Sequence, residues 1–286
     1  MSFSFNFPDP LENDGSTQKK DQSSVPTDNE SVLEFSEVQE TQVDRTLLTD
    51  VQTRTFEVSS SVHLVCLHSR EVEKQLTANP ESKCGLKLAT EQHSDLIPNV
   101  YEGGLTVWEC SVDLACYLAG CGECLNGRRV LELGCGAGLP GLVAIRCGAT
   151  SVHFQDYNPE VIEHYTIPNV LLNRPPECTC TCRYFTGDWS HFQQKMHTKG
   201  TKYDVILTAE TIYKPANYSK LLNIFQDFLS EDGTIYVAAK SNYFGVGGGT
   251  QDFMEFVRET LQFRAIVCHT VDAGLPREIL KLTRKT

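Results

Sequence analysis

Residues 128–144 read RRVLELGCGAGLPGLVA. A short apolar run leads into Gly134, Gly136, Gly138 and Gly141, and further apolar residues follow. Glycine reaches backbone conformations closed to other residues and has no Cβ to keep a neighbour away. The spacing therefore marks a tight turn from a strand into a helix, with bare main chain open to a ligand. A chain built around such a turn is committed to an open α/β sheet, and the rest of the sequence agrees. Strand-like runs recur at Arg129–Leu133, Ser151–Asp156, Cys182–Phe185, Tyr203–Thr208, Thr234–Ala239, Arg264–Thr270 and Glu278–Thr283. Helical patterns lie between most of them, including NYSKLLNIFQDFLS and TQDFMEFVRETL. This alternation predicts a mostly parallel sheet with helices on both faces. Only VDAGLP joins the last two strands, a hairpin-like connection, so one strand near the sheet edge is antiparallel.

Composition divides the chain in two. Of the net charge of −12, residues 1–50 contribute −8, with 11 Asp/Glu against 3 Lys/Arg. That stretch is also rich in Ser, Thr, Gln and Asn, as in STQKKDQSSVPTDNE. Such a segment cannot bury a core and reads as a mostly disordered acidic tail, removable with little loss of ligand binding. Its FSFNF segment has the composition to dock on a groove. Residues 51–286 then form the folded domain, beginning with an N-terminal extension whose 55–70 region carries strand-like stretches. The folded part has no concentrated basic stripe, which argues against a nucleic-acid substrate and favours a basic protein. No apolar run approaches the length of a membrane span, and the first residues lack a secretory pattern. The 12 cysteines are accordingly expected reduced. Cys121 with Cys124 forms a C-x-x-C, and Cys178, Cys180 and Cys182 a C-x-C-x-C. The second is a poor match to paired zinc-ribbon spacing, and no bound metal is expected.

Two ligand classes use a glycine-rich strand–helix turn: dinucleotides and S-adenosylmethionine. Gly136-x-Gly138-x-x-Gly141 matches the dinucleotide spacing, but its glycines start two residues late, since Gly134 already ends the strand. The alternative pattern, Glu132-x-Gly134-x-Gly136-x-Gly138, includes the acid and is the signature of class I methyltransferases. Asp156 ends the second strand of the alternation, where a carboxylate can accept both ribose hydroxyls. Both cofactors need that acid. The seven-strand order ending in a hairpin favours the methyltransferase.

VYEGGLTVWECSVDL, VLELGCGAGLPG, HFQDYN, GDWS, LTAETIY and NYFGVGGG occur in that order between residues 93 and 286. Together they resemble the histidine protein methyltransferases of the seven-strand class I type. The resemblance implies a Rossmann-like domain with S-adenosylmethionine as cofactor. It implies methylation at the tele nitrogen of a histidine in a basic ribosomal protein of the large subunit, by a monomer in the cytoplasm and nucleus, nucleolus included. Pro140 departs from the small or apolar residue common after the turn, but it suits the first turn of a helix.

On this reading Gly134 and Gly136 let the backbone approach the methionine end of the cofactor. Glu132 orients the loop or the cofactor amine, and Asp156 holds the ribose with Phe154, Gln155 and Tyr157 beside it. The resemblance places Val107, Trp108, Glu109, Cys110 and Ser111 along the cofactor site at the start of a helix. Gly187, Asp188 and Trp189 follow the third strand, where adenine is expected. Asp188 would accept from the adenine amino group and Trp189 would pack on a ring. Thr208 and Ala209 end the fourth strand, and Glu210 and Tyr213 beyond them are the candidates for orienting the acceptor. The Asn/Asp-Pro-Pro-aromatic motif of nucleobase amino-methyltransferases is missing there. Three alternatives stay open: a histidine acceptor, a lysine acceptor, and a cofactor-binding protein that chaperones a ribosomal protein without catalysis.

Overall fold

The computed structural model describes residues 33–42, 48, 51–77, 96–97, 100–121, 124–245 and 247–285; the FSFNF segment lies outside them. Ten strands are present among these residues: β1 (Ser36–Val38), β2 (Thr53–Glu57), β3 (His63–Leu67), β4 (Arg129–Leu133), β5 (Ser151–Asp156), β6 (Thr181–Thr186), β7 (Tyr203–Ala209), β8 (Leu229–Lys240), β9 (Phe263–Val271) and β10 (Arg277–Arg284). Eight form one sheet in the order β1-β6-β5-β4-β7-β8-β10-β9. The five strands from β6 to β8 pair in parallel, and β10 runs antiparallel to both β8 and β9. This is the seven-strand order expected, with the antiparallel strand one place in from the edge.

The eighth strand corrects the expectation of seven, and it comes from the segment read as tail. Ser36, Glu37 and Val38 pair antiparallel with Thr186, Phe185 and Tyr184 of β6. Glu37 accepts from Arg183 at 2.7 and 2.8 Å, and Glu40 accepts from Arg174 at 3.0 and 2.9 Å. Phe35 stacks on Phe185 with ring centroids 5.8 Å apart. The acids that made this stretch look solvated are fork-to-fork partners of Arg183 on β6 and of Arg174, which follows the helix Ile167–Asn173.

Side chains alternate across the sheet, and each set packs against its own layer of helices. Val130, Val152, Phe154, Tyr184, Val205 and Leu207 join one cluster with residues of the helices Glu109–Gly120, Leu139–Arg146 and Ile167–Asn173. Leu131, Leu133, Phe185, Tyr203, Ile206 and Val237 join the other, with residues of Trp189–His197, Tyr218–Phe228 and Thr250–Thr260. The β2–β3 hairpin covers the first layer. Its exposed ladder groups are met by side-chain amides: Asn173 Oδ1 accepts from Val65 N at 2.8 Å and Asn169 Oδ1 from Leu67 N at 2.9 Å. Asn169 Nδ2 also donates to Ala137 O at 3.1 Å, which ties the hairpin to the glycine turn.

From β4 the chain runs outward through β5 and β6, then returns to build β7 and β8 on the other side. The crevice left at that reversal, above the carboxyl ends of β4 and β7, is where open α/β sheets take ligands.

Candidate active site

A large pocket sits there, its walls drawn from the carboxyl ends of four adjacent parallel strands. The turn after β4 forms its floor. Gly134 and Gly136 have φ of 60° and 50°, the left-handed region. Space is as restrictive as conformation. A Cβ on Gly136 would lie 2.9 Å from Gly104 O, and one on Gly134 would lie 2.7 Å from Thr211 Cγ2. Glu132 is on the same sheet face as the Leu139–Arg146 helix and accepts from Gly141 N at 2.8 Å. It thereby satisfies a first-turn amide that the helix leaves open, and burial holds its carboxyl well above the usual range.

At the end of β5, Asp156 accepts from Gly136 N at 2.9 Å and from Asn158 N at 3.3 Å. Burial outweighs these bonds and raises its pKa to about 6. Asn158 accepts from Glu102 N at 3.2 Å and donates to Val100 O at 2.8 Å, fixing the 100–104 segment against the glycine turn. Beyond β6, Gly187 turns with φ 104° and donates to Asp156 O at 3.1 Å. Asp188 caps the next helix by accepting from Ser190 N at 2.8 Å and pairs with Lys220 at 2.9 Å. Burial alone would raise its pKa, but Lys220 and Ser190 hold it below the usual carboxylate value. Trp189 is pinned by donating to Gln155 Oε1 at 2.8 Å.

The opposite wall follows β7. Glu210 adopts φ 58°, a left-handed conformation rare for a residue with a side chain. Its N–H donates to Ala238 O at 2.9 Å, and its carboxyl is buried against the pocket. Oε2 accepts from the Tyr243 hydroxyl, while Oε1 is buried with no hydrogen-bond partner in the protein. The Cys110 thiol is pushed far up by burial and by the Glu210 charge beside it. Tyr213 donates to Glu102, and burial together with that carboxylate raises its pKa. The Tyr213 and Tyr243 rings meet edge to face, 6.3 Å between centroids.

Of the residues expected at the site, Val107, Trp108, Ser111, Glu132, Gly134, Gly136, Asp156, Tyr157, Gly187, Asp188, Trp189, Ala209, Glu210 and Tyr213 line this one pocket. Five do not. Phe154 points into the core, stacked on Tyr184 at 5.7 Å. Gln155 points to the other sheet face and spends its amide on Gly187 O and Asp156 O. Thr208 bonds Leu133 O at 2.9 Å and Thr211. Glu109 faces Arg277 at 3.8 Å, and Cys110 lies behind Glu210. The reason is common to the strand residues: successive side chains alternate between the two faces of the sheet, and those of Phe154, Gln155 and Thr208 are taken up by packing or hydrogen bonds inside the protein. Sequence reading missed Glu102, Gly103, Gly104, Thr211, Asn217 and Lys220, which also line the pocket. The Gly103-Gly104 pair beside an acid was the available signal. Cys121 and Cys124 lie 3.8 Å apart at sulfur, and no group of three or more His, Cys, Asp or Glu among the described residues has a metal-binding arrangement.

Residues 95–260 match a family model described as lysine methyltransferase. The chain belongs to this methyltransferase family. It is 42% identical over 216 residues to the histidine protein methyltransferase 1 homolog of Rattus norvegicus, covering 68% of this chain and 60% of the relative. The homolog of that name from Dictyostelium discoideum is 41% identical over 194 residues, covering 67% and 61%. The chain thus spans about 60% of the length of these methyltransferases. A solved structure described as a putative SAM-dependent methyltransferase from Streptococcus mutans shares the fold. Its TM-score is 0.50 at 13% identity, over 62% of this chain and 50% of that one.

Proposed function

We propose that the chain methylates a histidine side chain of a protein, with S-adenosylmethionine as methyl donor. The pocket fits that donor. The glycine turn offers close backbone at one end, Asp156 offers acceptor oxygens for ribose hydroxyls in the middle, and Tyr157, Asp188 and Trp189 edge the far end, where adenine belongs. Once bound, the donor supplies a methyl group on a sulfonium, which leaves with its bonding pair on sulfur. The work left to this chain is positioning and proton handling.

The observation that carries the acceptor assignment is the unpartnered Oε1 of Glu210, buried at the end of β7 against the pocket. An imidazole has a reference pKa near 6.5, so at neutral pH it already offers a lone pair on one nitrogen and an N–H on the other. A carboxylate oxygen accepting that N–H fixes the tautomer and takes up the positive charge that develops on the ring. A lysine, with a reference pKa near 10.4, would be held by the same carboxylate as an ammonium without a lone pair. The identity to relatives named for histidine methylation supports the same choice.

The finer reading is methylation at the tele nitrogen of a histidine in a basic protein of the large ribosomal subunit, by a monomer working in the cytoplasm and nucleus, nucleolus included. The acidic charge of the chain is complementary to such a partner. The test is incubation with labelled S-adenosylmethionine and extract from cells lacking the enzyme, followed by mass-spectrometric mapping of the site. Label on histidine of a ribosomal protein is the expected result; label on lysine, or none, overturns the reading. Glu210→Gln should keep cofactor affinity and lower turnover by about 10²-fold or more.

A further inference from the structure

Tyr243 lies 33 residues beyond Glu210 in the chain, in the glycine-rich segment after β8. Its hydroxyl accepts from Lys240 N at 3.3 Å and donates to Glu210 Oε2. The segment itself is pinned: Tyr243 N donates to Gly248 O at 3.2 Å, and Gly249 N donates to Ile212 O and to the Tyr218 hydroxyl, both at 3.1 Å. Ile212 lies between Glu210 and Tyr213, so the segment is fastened back onto the turn that carries the carboxylate. Glu210 is held at both ends, by a left-handed backbone and by a phenol whose one proton is committed to one oxygen.

We infer that Tyr243 is a positioning residue that fixes which carboxylate oxygen faces the acceptor and thereby which imidazole nitrogen is methylated. The inference rests on the histidine reading above. Oε2 already accepts from the phenol and Oε1 is the oxygen that lacks a donor, so the ring N–H goes to Oε1. With one ring N–H held on an oxygen of fixed position, the other ring nitrogen carries the lone pair and is the one turned toward the methyl group. The lone pair of the other nitrogen forms the new bond to the methyl carbon as the carbon–sulfur pair departs with sulfur. The proton on the bonded nitrogen then passes to Glu210 and on to water. Without the phenol proton the carboxyl loses the bond that distinguishes its two oxygens, and the second ring orientation becomes competitive.

Two comparisons test this. Tyr243→Phe keeps the ring against Tyr213 and removes only the hydroxyl. It should lower kcat for a histidine substrate about tenfold, with little change in cofactor affinity. It should also convert a single methylhistidine isomer into a mixture of tele and pros products, resolved by chromatography of the hydrolysate. Lost packing alone would reduce the amount of product without altering the isomer ratio. The second comparison serves whether or not that variant folds, because it leaves no buried carboxylate without a donor. In Glu210→Gln the phenol claims the amide oxygen and turns the NH2 toward the acceptor. In Glu210→Gln with Tyr243→Phe the amide can reverse, so the double variant should be several-fold more active than Glu210→Gln. An unchanged isomer ratio in Tyr243→Phe, or a double variant no better than Glu210→Gln, overturns the inference. Failure of the wild-type chain to label histidine at all overturns the reading beneath it instead.

Discussion

Asp156 makes cofactor binding depend on pH in a way that its surroundings specify. Burial raises its pKa to about 6, against the lowering effect of the Gly136, Asn158 and Tyr157 backbone bonds, and the nearby Glu102 charge pushes the same way as burial. Only the ionised carboxylate is purely an acceptor, so ribose hydroxyls favour it and binding expels the proton. At pH 5 about a tenth of the free protein carries the ionised form, so the apparent Kd for S-adenosylmethionine should rise about tenfold between pH 7 and pH 5. Isothermal titration in two buffers of different ionisation heat should show a proton released near pH 5 and almost none at pH 7. Asp156→Asn should bind weakly with no such slope. The same shift predicts the free protein's stability. A carboxyl whose folded pKa lies above its unfolded value stabilises below pH 4, and that contribution is lost as pH rises through 6, about 3 kcal/mol in all. A wild-type Kd that is flat from pH 7 to 5, or an equal slope in Asp156→Asn, would refute the assignment of Asp156 to the ribose.

Gly134→Arg should abolish cofactor binding and methyl transfer while circular dichroism stays native, because φ is 60° and a Cβ would already lie 2.7 Å from Thr211 Cγ2; wild-type affinity in isothermal titration would contradict it. Gly141→Ala reverses the usual helix trend. Alanine is favoured over glycine by about 1 kcal/mol in a helix, but here its Cβ would overlap the Phe154 ring and sit 2.5 Å from Glu132 Oε2. Overpacking of about 1–3 kcal/mol should win, and a urea midpoint at or above wild type would show that it does not. Two truncations test β1: removal of residues 1–32, which keeps the strand, and removal of residues 1–42, which takes it away. Deleting 1–42 should lower the melting temperature by several degrees, since it uncovers the β6 edge and strips Arg183 and Arg174 of their carboxylates; equal melting curves for the two truncations would remove β1 from the structural account.

The sheet was legible in the sequence because its signals are local. Strand residues such as Val130-Leu131 feed opposite cores, the helices between strands carry their own apolar faces, and the glycines and Asp156 mark strand ends by chemistry that no packing is needed to reveal. The tertiary structure decided the rest. Ser36–Val38 is a three-residue strand in an acidic stretch, too short to show a period, and Arg183 and Arg174, the partners of Glu37 and Glu40, lie more than a hundred residues away. Phe154, Gln155 and Thr208 sit beside site residues in the chain but turn into the protein, since a strand sends successive side chains to opposite faces. Glu210 was a carboxylate at a strand end by sequence alone. Its left-handed backbone, its bond to Tyr243 and its one unpartnered oxygen exist only when β7 and β8 lie side by side, because hydrogen bonds between residues distant in the chain are set by how strands pair and not by what precedes or follows them.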